Sequence, residues 1–222
     1  MRDVAAYASE SNCSLAILSL DQEKAFDCVN WSFLYSTLSK MGFGPSFIRW
    51  VQLLYSDVQS SVLVNSYTTK PFKPSRGVQQ GCPLSPLLYI LTMEVLAWSI
   101  RANPDIVGLS IPRSPTLPVL SLYADDTSAI VSSNRATVPI FETYDRFEKA
   151  SGSKINLAKC EGLWLGSWQH RLDAPVAIRW TLKIKVLHVF IGNGNLDEAN
   201  WHPHIDAVEK CLSSWCLRSL SF

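Results

Sequence analysis

Two adjacent aspartates, Asp125 and Asp126, interrupt an apolar run that otherwise has the composition of a β-strand. Successive side chains of a strand point to opposite faces, so regular extended geometry cannot direct both carboxylates to one side. The apolar flanks at 117–122 and 129–131 predict a tight turn between two strands. Ionised carboxylates beside a core are costly unless a divalent cation with oxygen ligands neutralises them. A solvated Asp-Asp turn is the simpler alternative.

A second short apolar run ends at Asp21, and its length suits a buried strand better than a helix. Asp21 could cap a helix, but Asp27 and Asn30 fit that role better because the amphipathic stretch 31–41 follows them. If the strands that end near Asp21 and Asp125 are neighbours, their carboxylates can hold two Mg²⁺ ions about 3.5–4 Å apart. Such a pair stabilises both the attacking and the leaving oxygen of a phosphoryl displacement.

The segment RGVQQGCPLSPLLY at 76–89 has the composition of a glycine-containing loop that leads into a helix. Gly77 and Gly81 permit unusual backbone angles or a close approach by a ligand. Apolar residues then recur at helical spacing over 84–98. A helix N-terminus after such a loop suits an anion, and Gln80 can both donate and accept hydrogen bonds there. An ordinary loop before a core helix is the alternative.

Composition limits the class of protein. The 222 residues are 47% hydrophobic, which is enough for one sizeable core. No apolar run approaches the roughly 20 residues that a membrane span needs, and the first residues lack the apolar stretch of a signal peptide. We therefore expect an intracellular protein without a membrane partner. The net charge of +1 is low for a nucleic-acid binder, since phosphate contacts usually need a basic surface.

Six cysteines are scattered along the chain without a CxxC pair, so reduced thiols are expected. A zinc site is the alternative use for four residues near the C-terminal end, His202, His204, Cys211 and Cys216. Their spacing differs from that of common zinc fingers, and the two cysteines would lie on different faces of a helix. Reduced, partly buried thiols are therefore the favoured interpretation.

Taken together and in order, three segments resemble the reverse transcriptase domain of LINE-type (non-long-terminal-repeat) retrotransposons. They are SLDQEKAFDCVNW at 19–31, RGVQQGCPLSPLLY at 76–89 and LYADD at 122–126. Weaker matches follow in SGSKINLAKCEGLWLG at 151–166 and LHVFIG at 187–192. The tetrad YADD alone is a weak indication, whereas the ordered set is specific to this family.

The resemblance implies an activity, an RNA-directed DNA polymerase, and its acidic centre. Asp21 matches the first catalytic carboxylate, and Asp125 and Asp126 match the aspartate pair. These three residues are therefore the expected catalytic residues and metal ligands, with Asp125 the firmer ligand of the pair. The implied cofactor is two Mg²⁺ ions, for which Mn²⁺ can substitute. The implied partners are an RNA template, a DNA primer and a deoxynucleoside triphosphate.

The resemblance also implies a nucleotide pocket. Phe26 matches the bulky position beneath the incoming nucleotide, where an aromatic ring clashes with a ribose 2′-OH and so favours deoxynucleotides. Gln80 and Gly81 match residues that line the pocket. Lys159 lies in the region where such enzymes place a basic residue near the leaving pyrophosphate, and Lys154 competes with it for this role. Ordinary surface charge is the alternative for both lysines.

Three positions depart from the family pattern. Gln79 stands where a basic residue usually precedes the Gln-Gly pair, and Cys28 also replaces a commonly basic residue. His188 stands where glycine is usual in the hairpin that would hold the primer, and a side chain there can disturb a tight turn. No departure removes a metal ligand. Two functions therefore stay open: an active polymerase core, or a truncated, inactive retroelement fragment that at most binds nucleic acid or another protein.

The fold that the resemblance implies is α+β, a polymerase palm with an antiparallel sheet, helices packed on one face and the other face open to a duplex. Residues 1–218 would form this palm with part of the fingers, truncated at both ends. Residues 219–222 would begin a missing thumb. The chain would then be part of a larger polyprotein, and family analogy implies a nuclear location.

The pattern of apolar and turn residues predicts the elements of this fold. Strands are expected on both sides of Asp125 and near 14–21, 160–166 and 184–191. Helices are expected near 31–41, 45–56, 84–102, 136–150 and 203–216. A hairpin is expected across 58–73 and a loop at 112–118, and Gly152 is expected to end a helix.

Overall fold

The computed structural model describes residues 1–110 and 120–216. The helices are α1 (Arg2–Glu10), α2 (Ala25–Cys28), α3 (Trp31–Lys40), α4 (Pro45–Ser56), α5 (Ser85–Arg101), α6 (Thr137–Ser151) and α7 (Asp197–Cys216). The strands are β1 (Leu15–Leu20), β2 (Gln22–Glu23), β3 (Leu63–Val64), β4 (Tyr67–Thr68), β5 (Leu120–Tyr123), β6 (Asp126–Val131), β7 (Lys154–Ile155), β8 (Glu161–Leu165), β9 (Arg179–Thr181), β10 (Lys183–Val186) and β11 (Val189–Gly192). The expected loop at 112–118 and tail at 219–222 lie outside the described residues.

A five-stranded sheet in the order β5-β6-β1-β8-β9 forms the centre of the molecule. Its neighbours pair antiparallel, except that β8 and β9 are parallel. β1 lies in the middle, and Ser19 is its one residue that is not fully buried. A strand buried on both faces needs a continuous apolar run rather than an alternating one, which explains the composition of LAILSL. The predicted strand near 14–21 is therefore confirmed.

Alternate residues of β1 face two different apolar clusters. Those that pack against α3, α5 and α6 are Ala16, Leu18 and Leu20. Those that pack against α1 and the β10–β11 hairpin are Leu15 and Ile17. The sheet face that we expected to be open is therefore covered in part. The prediction missed α1 because its sequence, RDVAAYASE, has few large apolar residues, and only Ala5 and Ala8 are buried in it.

The predicted helices that correspond to α3, α4, α5 and α6 are confirmed. The ends of three of them follow from the local sequence. The Asn30 side chain accepts a hydrogen bond from the Ser32 amide at 2.9 Å and so caps α3. Pro45 begins α4, where a missing amide proton is harmless. Gly152 ends α6 with a φ of +78°, and a Cβ atom there would lie 2.9 Å from the Cys28 carbonyl oxygen. Glycine is therefore required at this helix end.

Other elements differ from the prediction. The expected strand near 184–191 is a hairpin, β10 and β11, with a two-residue turn at Leu187 and His188. The last helix begins at Asp197 rather than near 203, and Pro203 lies inside it. The short strands β2, β7 and β9 were not predicted, because two or three residues carry no recognisable period. No helix of the described ranges is long and apolar enough to cross a membrane.

Candidate active site

The turn between β5 and β6 carries the aspartate pair. Tyr123 pairs with Asp126, so only Ala124 and Asp125 lie between the two strands. Ala124 has a φ of +52°, a conformation that favours glycine. The predicted strand–turn–strand is confirmed, and the turn is tighter than expected because Asp126 already belongs to β6.

Asp21 lies at the same edge of the sheet as this turn. The last pair of the β1–β6 ladder joins Leu20 to Thr127. Asp21 directly follows β1, and Asp126 directly precedes Thr127. Opposite residues of antiparallel strands have Cα atoms about 4.5–5.5 Å apart. The register of the two strands therefore brings two acidic positions that are far apart in sequence to one edge of the sheet.

The charges at this edge act on one another. Partial burial is the largest cause that raises the pKa of Asp126, and the negative charge of Asp125 is the next. The charge of Asp21 raises the same pKa further, whereas His188 lowers it. Three carboxyl groups and the turn of the β10–β11 hairpin therefore share one electrostatic environment.

One oxygen of Asp21 lacks a hydrogen-bond partner. Its Oδ2 atom is buried and accepts no hydrogen bond from the described residues, although the side chain as a whole is 40% exposed. A carboxylate oxygen in this state suits a hard cation such as Mg²⁺. Across residues 1–110 and 120–216, no three His, Cys, Asp or Glu side chains lie close enough together to bind one metal ion. The chemistry of the donors therefore fits a divalent cation, without a preassembled cluster of three ligands.

Lys159 is the lysine that the structure places beside Asp21. Its Nζ atom lies 3.7 Å from Asp21 Oδ2, which is ion-pair distance but too long for a hydrogen bond. The Asn156 amide donates to the Asp21 carbonyl oxygen at 2.9 Å, and the Lys159 amide donates to the Asn156 carbonyl oxygen at 3.0 Å. Lys154 instead pairs with Glu23 in the β2–β7 ladder. The ion-pair distance to Asp21 therefore identifies Lys159 as the lysine next to the acidic edge.

Phe26 is supported by a chain of buried contacts. Its ring stacks on Tyr89 with centroids 4.7 Å apart and an interplanar angle of 15°. The Tyr89 hydroxyl donates to Gln22 Oε1 at 2.9 Å, and Gln22 Nε2 donates to Met93 Sδ at 3.2 Å. Burial, and then the charge of Asp125, raise the pKa of Tyr89, so its hydroxyl stays a donor. The Phe26 ring therefore rests on a fixed, neutral support.

Gln22 and Tyr89 were not predicted from the sequence. These partners are 67 residues apart along the chain, and no pattern of spacing reveals such a contact. One indication was present: Gln22 is a polar residue directly after a buried strand, and a buried amide needs a partner.

The loop before α5 packs on the segment that carries Phe26. The Val78 amide donates to the Phe26 carbonyl oxygen at 2.7 Å, and the Gly77 amide donates to the Val29 carbonyl oxygen at 2.8 Å. Gly77 has a φ of +96°, and a Cβ atom there would lie 2.9 Å from the Asp27 carbonyl oxygen. Gly77 therefore has the unusual backbone angle that the sequence allowed, and the group that approaches it closely is the backbone of the chain and not a ligand.

Gln80 and Gly81 lie exposed in this loop, beyond its anchor on α2. Gly81 has a φ of +85°, and no atom lies within 4 Å of the position of a Cβ atom there. Gln79 is also exposed. The space beside Gly81 is therefore open, and the roles of Gln80 and Gly81 toward a nucleotide stay predictions.

Comparison with known proteins gives the family. The chain matches the family described as reverse transcriptase (RNA-dependent DNA polymerase) over residues 2–189. It is 36% identical over 215 residues to the transposon TX1 uncharacterized 149 kDa protein of Xenopus laevis. The aligned region covers 96% of this chain and 16% of that protein. The chain is also 31% identical over 147 residues to the retrovirus-related Pol polyprotein from the type-2 retrotransposable element R2DM of Drosophila melanogaster. This alignment covers 66% of the chain and 13% of that polyprotein. The chain thus spans less than one fifth of these relatives.

Solved structures give the fold. A telomerase from Candida tropicalis, in complex with a fragment of telomeric RNA, superimposes with a TM-score of 0.58 at 13% identity, over 81% of this chain and 29% of that chain. A Candida albicans telomerase gives a TM-score of 0.55 at 12% identity, and the superposition covers 86% of this chain and 32% of that chain. The predicted α+β polymerase palm is therefore confirmed, as is the resemblance to reverse transcriptases of non-long-terminal-repeat elements. The chain belongs to the reverse transcriptase family.

Proposed function

We propose that this chain is the catalytic core of an RNA-directed DNA polymerase, which joins a deoxynucleotide to the 3′-OH of a DNA primer on an RNA template. One observation carries the proposal: Asp21 and the pair Asp125–Asp126 lie at one edge of the sheet, in a chain of this family. Acidic residues from separate strands lie at this edge at a cost: burial, and then the like charges of Asp125 and Asp21, raise the pKa of Asp126. That cost is typical of functional sites.

We assign Asp21, Asp125 and Asp126 as the residues that would hold two Mg²⁺ ions. When bound, these ions would stabilise negative charge on the attacking and leaving oxygens. Asp21 offers the buried oxygen without a hydrogen bond, so a cation would gain a ligand without breaking a hydrogen bond of the protein. Mg²⁺ binds proteins through few carboxylates and keeps waters and substrate phosphates as its other ligands. A small set of aspartates therefore suffices.

The remaining residues of the proposed site would position the nucleotide. Lys159, beside Asp21, places a positive charge where it can neutralise charge on a leaving pyrophosphate. Phe26, stacked on Tyr89, presents an aromatic surface that cannot yield easily to a ribose 2′-OH. The open space beside Gly81 leaves room for a ligand next to Gln80.

An inactive fragment that only binds nucleic acid is the second candidate. Two observations favour it: the net charge is only +1, and the exposed Gln79 stands where the family resemblance implies a basic residue. Both weaken attraction to phosphates, because such attraction depends on the number of cations at the interface. Neither affects the acidic edge, so chemistry at that edge separates the two candidates.

The deciding experiment is primer extension on an RNA template with Mg²⁺ or Mn²⁺. Asp21→Asn and Asp125→Asn should each lower the rate by at least ~10³-fold, because each removes charge that stabilises the transferred phosphate. The matched control is Asp145→Asn on α6, where the exposed carboxylate pairs with Lys149 at 2.6 Å. That variant should extend primers at the original rate. Thermal unfolding of all three variants checks that they are folded.

Two results contradict the proposal. Extension that survives both Asp21→Asn and Asp125→Asn would show that the activity does not come from this edge. A folded, unaltered chain that binds a primer–template duplex but never extends it would support the binding fragment instead.

A further inference from the structure

A half-buried free cysteine, Cys82, lies between the open loop residue Gly81 and the first turn of α5. Its backbone is fixed at both ends, because its amide donates to the Gln79 carbonyl oxygen at 3.3 Å and its carbonyl oxygen accepts from the Ser85 amide at 3.1 Å. The thiol is therefore held at one place beside the proposed nucleotide pocket, and is not carried on a flexible tail.

The surroundings of the sulfur stabilise a thiolate. The backbone N–H of Leu84 is the largest cause that lowers the pKa of Cys82. Partial burial opposes it, and the hydroxyl and amide of Ser85 lower the pKa by smaller amounts. These amides form the N-terminus of the 17-residue helix α5, where the helix dipole also favours negative charge.

Ser85 provides an independent observation. Its Oγ atom is fully buried and forms no hydrogen bond of ordinary geometry with the described residues. It nevertheless lies close enough to Cys82 and to Tyr55 of α4 to lower the pKa of each. Tyr55 is the titratable group that faces the thiol from α4, and burial and the charge of Cys82 raise its pKa, so it stays neutral. The buried hydroxyl is thus available to a negatively charged sulfur.

The other cysteines provide contrasts within the same chain. Cys160 is buried beside Asp21, and burial raises its pKa to about 11. At pH 7.5 a thiol of this pKa is thiolate in roughly one molecule in three thousand. Cys211 is exposed on α7 and serves as an accessible thiol for comparison.

We propose that Cys82 is a modification site, at which a low-molecular-weight disulfide such as oxidised glutathione forms a mixed disulfide beside the nucleotide pocket. The Cys82 thiolate attacks one sulfur of the disulfide, a new S–S bond forms and the old S–S bond breaks. The departing thiolate takes a proton from water. Cys82 is oxidised and half of the small disulfide is reduced, so electrons balance. That the adduct closes a nucleotide pocket rests on the proposed function.

The first test maps the adducts on the full chain. The folded protein is treated with oxidised glutathione at pH 7.5, quenched with acid at intervals and digested for mass spectrometry. We expect the adduct at Cys82 to form at least ~2-fold faster than that at Cys211, because a larger thiolate fraction outweighs the lower nucleophilicity of the thiolate, and Cys160 to stay unmodified because it is buried. Equal or faster reaction at Cys211 would overturn the proposal. Cys82→Ser and Cys211→Ser identify each adduct.

The second test concerns Ser85. In Ser85→Ala the midpoint of the pH–rate profile for alkylation of Cys82 should move to higher pH, since a donor to the thiolate is lost. Ser85→Thr, which keeps the hydroxyl, should restore it. A loss of packing alone would not move this midpoint. A midpoint that is the same in all three proteins would overturn the part assigned to the buried hydroxyl.

The third test separates the modification site from the polymerase. A deoxynucleoside triphosphate with Mg²⁺ should slow the modification of Cys82 but not that of Cys211. Modified protein should lose primer extension and regain it with dithiothreitol, whereas the same treatment should leave Cys82→Ser at its own untreated rate. No protection and no loss would overturn the closure of the pocket. If the untreated chain extends no primer, the proposed function fails, and the adduct map still decides the modification site.

Discussion

The turns at Asn65–Ser66 and Leu187–His188 have nearly the same backbone and different side chains. Their φ angles are +47° and +69° in the first and +48° and +68° in the second. Each joins the two strands of a short hairpin. Positive φ at both central residues favours Asn and Gly, because other side chains are strained there. Asn65 meets this requirement and Ser66 does not, whereas in the second turn neither Leu187 nor His188 meets it.

The two hairpins are stabilised in different ways. In the β10–β11 hairpin Ile184, Val186 and Ile191 are buried in the core, so packing imposes the turn on unfavourable residues. The residues of β3 and β4 are all exposed, so that hairpin depends on the preference of its turn. The strained turn is also the one that faces the acidic edge, where His188 lowers the pKa of Asp126.

The largest expected effect comes from giving the strained turn the residues that its backbone favours. The double change Leu187→Asn, His188→Gly should stabilise the protein by about 1–2 kcal/mol, because it relieves two residues of left-handed strain. For a chain of this size the melting temperature should rise by about 3–6 °C in thermal unfolding followed by circular dichroism. Lys185→Asn, an exposed change in the same hairpin, is the control and should not raise it. An unchanged melting temperature in the double variant would show that the turn stores no strain.

The reverse change tests the other turn. Asn65→Leu should cost about 1 kcal/mol, but only locally, because the exposed hairpin opens without unfolding the core. The Thr69 amide, which donates to the Val62 carbonyl oxygen at 2.9 Å, should exchange its proton roughly 5-fold faster. The melting temperature should change by less than ~1 °C. A fall of several degrees would mean that this hairpin, too, is part of the cooperative core.

The smallest effect concerns the link between the strained turn and the acidic edge. His188→Gln removes the group that lowers the pKa of Asp126, so the variant should raise that pKa further. Because the pKa of Asp126 in the folded protein lies above the ordinary carboxyl value, stability falls as the pH rises between these two values. The variant should extend this fall to higher pH. NMR titration of Asp126 in metal-free protein measures the shift, with His170→Gln as the control, and a shift to lower pKa would contradict the expectation.

The sequence predicted the parts of the site that depend on local pattern. β1 and the turn at Ala124–Asp125 were predictable because a buried strand is a continuous apolar run, and charged residues can interrupt it only at its ends. α4 and α6 were predictable from Pro45 and Gly152, which mark helix ends.

Other parts depend on distant contacts and left no pattern. The support of Phe26 by Tyr89 joins residues on different elements, and β9 pairs with β8 through three residues only. At the left-handed turn Leu187–His188, the sequence indicated only that glycine is usual at position 188. Leucine and histidine disfavour positive φ, so their presence did not predict the conformation that packing imposes.

The hydrogen bonds that join Asn156 to Asp21 and Lys159 to Asn156 have one further consequence. They make the surface segment 156–159 a spacer of fixed length between a cationic and an anionic group. An inserted or deleted residue there would displace the ammonium group from its carboxylate while leaving every side chain at the sheet edge intact. The number of residues in this segment, more than their identity, therefore determines whether the ion pair is kept.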